Sequence, residues 1–139
     1  MPDELVVVDT DVFSGVLMES MPTGDYTRFT TLLHGQRLAL AAQTVAEVRA
    51  GALQRNWGPR RVADLEAKLR RLRVLPVDDE MCRSWAELKA ECTRSGHPLG
   101  QKDHDGDRWI AATARRHGLA LASNDRIFRG VPGIALLGD

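Results

Sequence analysis

An α/β domain with a mainly parallel sheet is expected from three features of this chain. Leu5-Val6-Val7-Val8 is an unbroken apolar run, three of its residues β-branched, which is the pattern of a strand covered on both faces. Short extended segments alternate with helical ones along the whole sequence, as a parallel sheet requires. The first apolar run also ends in Asp9-Thr10-Asp11, and open α/β sheets bind ligands beyond the carboxyl ends of their strands. Asp9 is therefore the expected centre of a site.

The elements follow in order. After the strand Leu5–Asp9, Thr10 or Asp11 can cap a helix over Val12–Glu19. Met21–Asp25 reads as a turn, and a helix over Tyr26–Leu33 is closed by His34-Gly35. Arg37–Ala41 is a short strand. The next helix spans Thr44–Leu53, and Thr44-Val45-Ala46-Glu47 has the spacing of a capping box. Asn56–Pro59 breaks the chain before a basic helix over Arg60–Leu72, which carries Val62, Leu65, Leu69 and Leu72 at helical spacing. Val74–Val77 is extended. Asp78 caps a long helix with Met81, Trp85, Leu88 and Cys92 on one stripe, and Ser95–Gly100 is a loop. Asp105, as N-cap, opens a helix to His117 that stops at Gly118. Leu119–Ala122 is a strand running into Ser123-Asn124-Asp125, and after a turn at Arg129–Gly133 the last strand is Ile134–Leu137.

With 139 residues, 43% apolar and 27% charged, the chain reads as a single globular domain over residues 1–139. No stretch approaches a membrane span and the start lacks the features of a signal peptide, so the cytosol is the expected compartment and no membrane partner is expected. Cys82 and Cys92 fall in one predicted helix; ten residues of helix separate them by about 15 Å, beyond the roughly 7 Å limit for a disulfide. Two buried or half-buried free thiols are expected.

Formal net charge is zero, which removes any global attraction to nucleic acid. The distribution is uneven, however. Arg55, Arg60, Arg61, Lys68, Arg70, Arg71 and Arg73 are opposed locally only by Asp64 and Glu66. Such a stretch is either a solvated helix face or a phosphate-binding surface, and arginine suits the second.

Four acids can reach one rim of a parallel sheet. Asp9 and Asp125 end two strands, Glu47 lies early in the helix after the Arg37–Ala41 strand, and Asp107 lies in the first turn of the helix feeding the Leu119 strand. Two carboxylates about 5 Å apart repel by roughly 3 kcal/mol at an effective dielectric near 20. A hard divalent cation, Mg²⁺ or Mn²⁺, would relieve that repulsion. Each acid also has a plainer role. Glu47 can close the capping box, Asp107 can complement a helix dipole, and Asp125 can be a turn residue beside Asn124. Asp11 competes with Asp9, although beyond Asp9 the helix begins, and Asp103 lies near Asp107. His34, His97, His104 and His117 have no metal-binding spacing, and no chemistry is assigned to them. No nucleophile elbow or Gly-rich loop after a strand is present, so acyl transfer and dinucleotide binding have no support.

Val7-Val8-Asp9-Thr10-Asp11, Thr44-Val45-Ala46-Glu47-Val48 with Gly51, Gly96-His97-Pro98-Leu99, Asp107–Ala114, Gly118–Leu121, Ser123-Asn124-Asp125 with Phe128, and Val131-Pro132-Gly133 occur in that order. This ordered set resembles the PIN-domain ribonucleases, and among them the VapC-type toxins of toxin–antitoxin pairs. The resemblance covers nearly the whole chain and is weakest over Gln54–Ala90. It implies a PIN-like three-layer domain with a five-stranded sheet in the order 3-2-1-4-5. It implies a pocket of Asp9, Glu47, Asp107 and Asp125 that binds Mg²⁺ or Mn²⁺, with Asp9 and Asp107 as principal ligands. Glu47 and Asp125 would complete the site or orient water, and Thr10 and Ser123 would support it with hydroxyls. Asp125 is preferred to Asn124 for the fourth position, and Asp103 is a possible auxiliary ligand. The implied activity is endonucleolytic cleavage of structured RNA such as tRNA or rRNA. The implied partners are a cognate antitoxin and a second copy of the chain, as a homodimer.

Three other readings compete. A non-catalytic PIN-like scaffold would bind RNA or a partner without cutting. A receiver-type signalling domain needs a phosphorylatable Asp ending its third strand and a late Lys, whereas no lysine follows Lys102. A phosphatase of the haloacid dehalogenase type needs a hydroxyl residue where Phe13 stands.

Overall fold

The structure is a computed structural model that describes residues 5–18 and 26–138; the predicted turn at Met21–Asp25 and the end of the first helix at Glu19 lie outside them. Strand β1 (Leu5–Val8) lies between β2 (Arg37–Ala41) and β4 (Ala120–Ala122), and β3 (Arg73–Leu75) flanks β2, giving the order β3-β2-β1-β4. All pairings are parallel, with Val7 opposite Ala39 on one side and Leu121 on the other.

The unbroken valine run is explained by burial on both faces. Val7 packs into one core with Leu88, Ile110 and Leu121, while Val6 and Val8 point into a second with Phe13, Phe29 and Leu65. Each buried valine contributes about 1.5–3 kcal/mol relative to exposure. Helices therefore cover both sides of the sheet, in three layers.

The sheet departs from expectation at one edge. Among the described residues it has four strands, not five. The segment expected as the fifth reduces to a single parallel bridge between Leu136 and Leu121, supported by Leu121 N–H to Ala135 O and Leu137 N–H to Leu121 O. It sits beside β4, where the expected order puts it. Gly133 (φ 75) and Gly138 (φ 89) turn the backbone at both ends, leaving too little extended chain to build a ladder.

Helix starts differ in an informative way. Helix α1 (Thr10–Val12) is capped by Asp9 itself and runs on as a π-helical turn over Phe13–Leu17. Helix α2 is Thr27–Leu32. Helix α3 (Ala42–Gln54) begins directly after β2 rather than at Thr44, so the capping box does not form. Thr44 is fully buried in the first turn and its Oγ1 accepts from Thr10 Oγ1 at 3.2 Å. The basic helix α4 (Pro59–Arg70) buries Leu65 and Leu69 and exposes Arg60, Arg61 and Arg70.

Asp78 caps α5 (Asp79–Ser95) as expected, accepting from Met81 N–H at 2.8 Å. Of the two free cysteines only Cys92 is buried; Cys82 is exposed, because it lies off the apolar stripe. Helix α6 (Asp105–His117) takes Asp105 as its first residue and His104, not Asp105, at the N-cap position. Ahead of it, two short 3-10 turns (Pro98–Gly100, Lys102–His104) are held by Arg108. That side chain is 2% exposed and donates to Leu99 O and Gln101 O at 2.8 Å and to Asp105 Oδ1 at 3.1 Å. Its guanidinium lies 5.0 Å over the Trp85 ring, which stacks on Trp109 at 5.2 Å.

Candidate active site

Because β1 is central and every strand is parallel, the helix that follows β2 and the loop that follows β4 both begin at the rim where β1 ends. Helix α6 feeds β4 from its far end, so its N-terminus returns to the same rim. The result is a small cleft of about 50 Å³ lined by Asp9, Thr10, Asp11, Glu47, Asp107, Ile110 and Asp125. All four predicted acids are in it. Asp103 and Asn124 are not among the lining residues, whereas Asp11 is.

Asp9 has both carboxylate oxygens tethered, and Glu47, Asp107 and Asp125 each have one. Asp9 is 4% exposed; its Oδ1 accepts from Val12 N–H at 2.9 Å and its Oδ2 from the Ser123 hydroxyl. The same Ser123 Oγ accepts from Asp125 N–H at 3.0 Å, so one hydroxyl joins the ends of β1 and β4. Asp125 Oδ1 accepts from Ile127 N–H at 3.0 Å, capping a 3-10 turn over Arg126–Phe128. Glu47 Oε1 accepts from Gln43 Nε2 at 2.9 Å, and Asp107 Oδ2 lies 3.1 Å from His104 Nδ1.

The electrostatics are those of crowded anions. Burial raises the Asp9 carboxyl from 3.8 to about 6; the hydrogen bonds from Ser123 and Val12 oppose the rise, and Asp11 and Asp125 add to it. Asp11 is also pushed up, first by burial and then by Asp125 and Glu47. None of the described residues lining the cleft is a cation. As they stand, no three acidic, histidine or cysteine side chains among the described residues gather closely enough to ligate one ion directly.

A larger groove of about 490 Å³ leads away from the cleft, sharing Thr10, Asp11 and Glu47 with it and running on to Arg55, Trp57 and Arg61. The Arg61 guanidinium lies 4.0 Å over the Trp57 ring. The basic stretch therefore meets the acidic cleft through Arg55 and Arg61, not through its whole length.

A family model described as PIN domain matches residues 6–134. The chain belongs to the PIN-domain family. Within it, the chain is 35% identical over 127 residues to the VapC ribonuclease Y4jK of Sinorhizobium fredii, covering 87% of both proteins. It is 30% identical over 105 residues to the tRNA(fMet)-specific endonuclease VapC of Salmonella typhimurium, covering 75% of this chain and 76% of that one. Among solved structures, VapBC-5 from Mycobacterium tuberculosis, a member of the VapBC family of toxin–antitoxin systems, matches with a TM-score of 0.64 and 29% identity over 96% of this chain and 97% of that one. The chain is thus a PIN-domain protein of the VapC ribonuclease type, and this membership displaces the receiver and phosphatase readings.

Two features of the cleft are decided only by the fold of this PIN domain. Asp11 lies past the end of β1, in the first turn of α1, and lines the cleft together with Asp9. Gly106 is the second, its only signal being a glycine in a helical first turn, which can mark a close approach. A Cβ there would lie 3.0 Å from Gln43 Nε2 and 3.1 Å from Glu47 Oε1. Gly106→Ala is expected to fold normally, since alanine is the better helix former. By displacing the Gln43–Glu47 pair it should lower RNA cleavage about tenfold, with an unchanged melting curve as the control.

Proposed function

We propose that this chain is a divalent-metal-dependent endoribonuclease, the toxin of a type II toxin–antitoxin pair, whose residues 1–139 act as one nuclease domain. Asp9, Glu47, Asp107 and Asp125 are its catalytic acids and metal ligands. The observation that carries this is the convergence of four acids from four separate elements on a cleft whose described lining holds no basic side chain. Crowding like charges into one cleft is costly, and a cation is what such a lining lacks.

The donors fit Mg²⁺ or Mn²⁺: all are hard oxygens, and their spread suits an ion that keeps much of its water. When bound, such an ion supplies Lewis-acid chemistry, acidifying water and neutralising charge that develops on a phosphodiester. The chain does the rest. Asp9, fixed by Ser123 and Val12, and Asp107, held beside His104, present carboxylate oxygens to the ion. Glu47, with Oε1 tied to Gln43, keeps Oε2 to accept a hydrogen bond from the attacking water. Asp125 restrains the opposite side, and Thr10 braces α1 against α3 through Thr44. Protein dialysed against EDTA should leave RNA intact and regain cleavage with added Mg²⁺ or Mn²⁺; cleavage that persists in EDTA would refute the proposal.

The substrate is structured RNA, with tRNA or rRNA as its class. The tRNA-specific relative supports this, as does a groove edged by Arg55 and Arg61. Changing Arg60, Arg61, Arg70 and Arg71 to Gln should weaken RNA binding and reduce the slope of log K against log salt by about 0.7 for each phosphate no longer neutralised. An unchanged slope would remove α4 from the RNA surface. The groove floor also carries Phe13, Val48, Trp57 and Leu65, which suits an apolar segment of a cognate antitoxin. The toxin–antitoxin character of the solved relative supports such a partner. A homodimer is the proposed assembly. No described helix is long and apolar enough to cross a membrane, and the cytoplasm is the proposed location.

A further inference from the structure

His104 carries no metal-binding spacing in the sequence, and in the structure it occupies the N-cap position of α6 without making a side-chain capping bond. Its ring turns instead to Asp107, three residues on, placing Nδ1 at 3.1 Å from Oδ2. An ionised carboxylate only accepts hydrogen bonds, so the facing nitrogen must carry the hydrogen: Nδ1–H donates to Oδ2. Both side chains are about one-third exposed, at 32% and 34%.

The backbone that carries the ring is well anchored. His104 N–H donates to Gln101 O at 3.1 Å, and Gln101 O also accepts from the buried Arg108. Arg108 further grips Leu99 O and Asp105. Asp107 therefore takes its orientation from a fixed turn. Gln43 does the same for Glu47 across the cleft.

We propose that His104 is a positioning residue: its Nδ1–H holds Oδ2 of Asp107 so that Oδ1 is presented to the cation. This rests on the reading of the cleft as a metal site. Supporting groups of this kind typically change metal affinity by about 10–100-fold.

The test compares His104→Ala, His104→Asn and His104→Gln. An Asn amide nitrogen stands where Nδ1 does, whereas a Gln amide reaches the position of Nε2. Mn²⁺ binding to metal-free protein is measured without RNA, from the EPR signal of free Mn²⁺, and cleavage is measured across Mn²⁺ concentrations. The Ala and Gln variants should bind Mn²⁺ about 10–100-fold more weakly and need correspondingly more for half-maximal cleavage. Their rate at saturating Mn²⁺ should stay within a few-fold of wild type, and Asn should restore affinity.

If Ala and Gln bind Mn²⁺ as wild type does, His104 has no such role. If Asn is as weak as Gln while both melt like wild type, the hydrogen bond is not the cause and the proposal also fails. Should the Ala variant not fold, the Asn–Gln comparison decides alone. Wild-type protein that takes up no Mn²⁺ would overturn the reading of the cleft itself, and this inference with it.

Discussion

Asp9→Asn lowers RNA cleavage by about 10³-fold or more and makes the metal-free protein harder to unfold at pH 7.5. The second half of this expectation runs against the usual result of changing a buried, hydrogen-bonded residue. It follows from the raised carboxyl of Asp9, which titrates at about 6 in the fold against 3.8 in an unperturbed chain. The folded state therefore holds a proton that the unfolded chain has released, throughout the window between those values. Stability from this group is greatest at low pH and falls as pH rises through that window. At pH 7.5 the folded protein keeps an ionised Asp9 among other anions, and that costs about 1–3 kcal/mol. Asparagine removes the charge, can still accept from Val12 N–H, and is a good N-cap. In urea melts of metal-free protein, the Asn variant should be more stable than wild type at pH 7.5, and the gap should close toward pH 4. Added Mg²⁺ should stabilise wild type by mass action and not the variant. Equal stability of the two proteins at both pH values would show that the Asp9 charge is not a liability.

Arg108→Ala is expected to destabilise the protein by about 3–5 kcal/mol. The guanidinium satisfies Leu99 O and Gln101 O and covers the face of Trp85. Its removal strands two carbonyls at a helix entrance and leaves a cavity beneath the Trp85–Trp109 stack. Arg108→Lys should recover little, because one ammonium cannot span both carbonyls and lie flat on the ring. Chemical denaturation measures the loss, and hydrogen exchange at residues 99–105 locates it. A loss below about 1 kcal/mol, the level of a surface interaction, would show that the turn is held by something else.

Much of this architecture is legible in the sequence because pattern and environment agree. The valine run reads as a two-sided strand, and both of its faces are indeed covered. Asp78 and Gly118 read as a cap and a stop because each has a local signature that tertiary packing does not contradict. The departures have two causes: long-range packing overrides a local signal in one, and backbone turns cut an element short in the other. Thr44 and Glu47 have capping-box spacing, but β2 passes into α3 without a loop and buries Thr44 against Thr10. The last strand has the composition of one, yet two glycines at positive φ leave it only a bridge. In the cleft, the four acids can be named from strand ends and helix starts. Gln43, Gly106 and His104 cannot, since their roles depend on how α3 and α6 approach one another. Arg108 is equally hidden, because an arginine beside Asp107 reads as surface until the turn wraps around it.

The acidic lining of the cleft also fixes an order of events. A phosphodiester is an anion, and at about 5 Å each ionised carboxylate repels it by roughly 3 kcal/mol at an effective dielectric near 20. With several carboxylates around one small opening, an RNA arriving at the empty cleft is turned away from the very spot where it would be cut. The arginines farther along the groove can still hold the strand, but out of register. Under the proposed metal-dependent function, loading would be sequential by charge alone: cation first, scissile phosphate second.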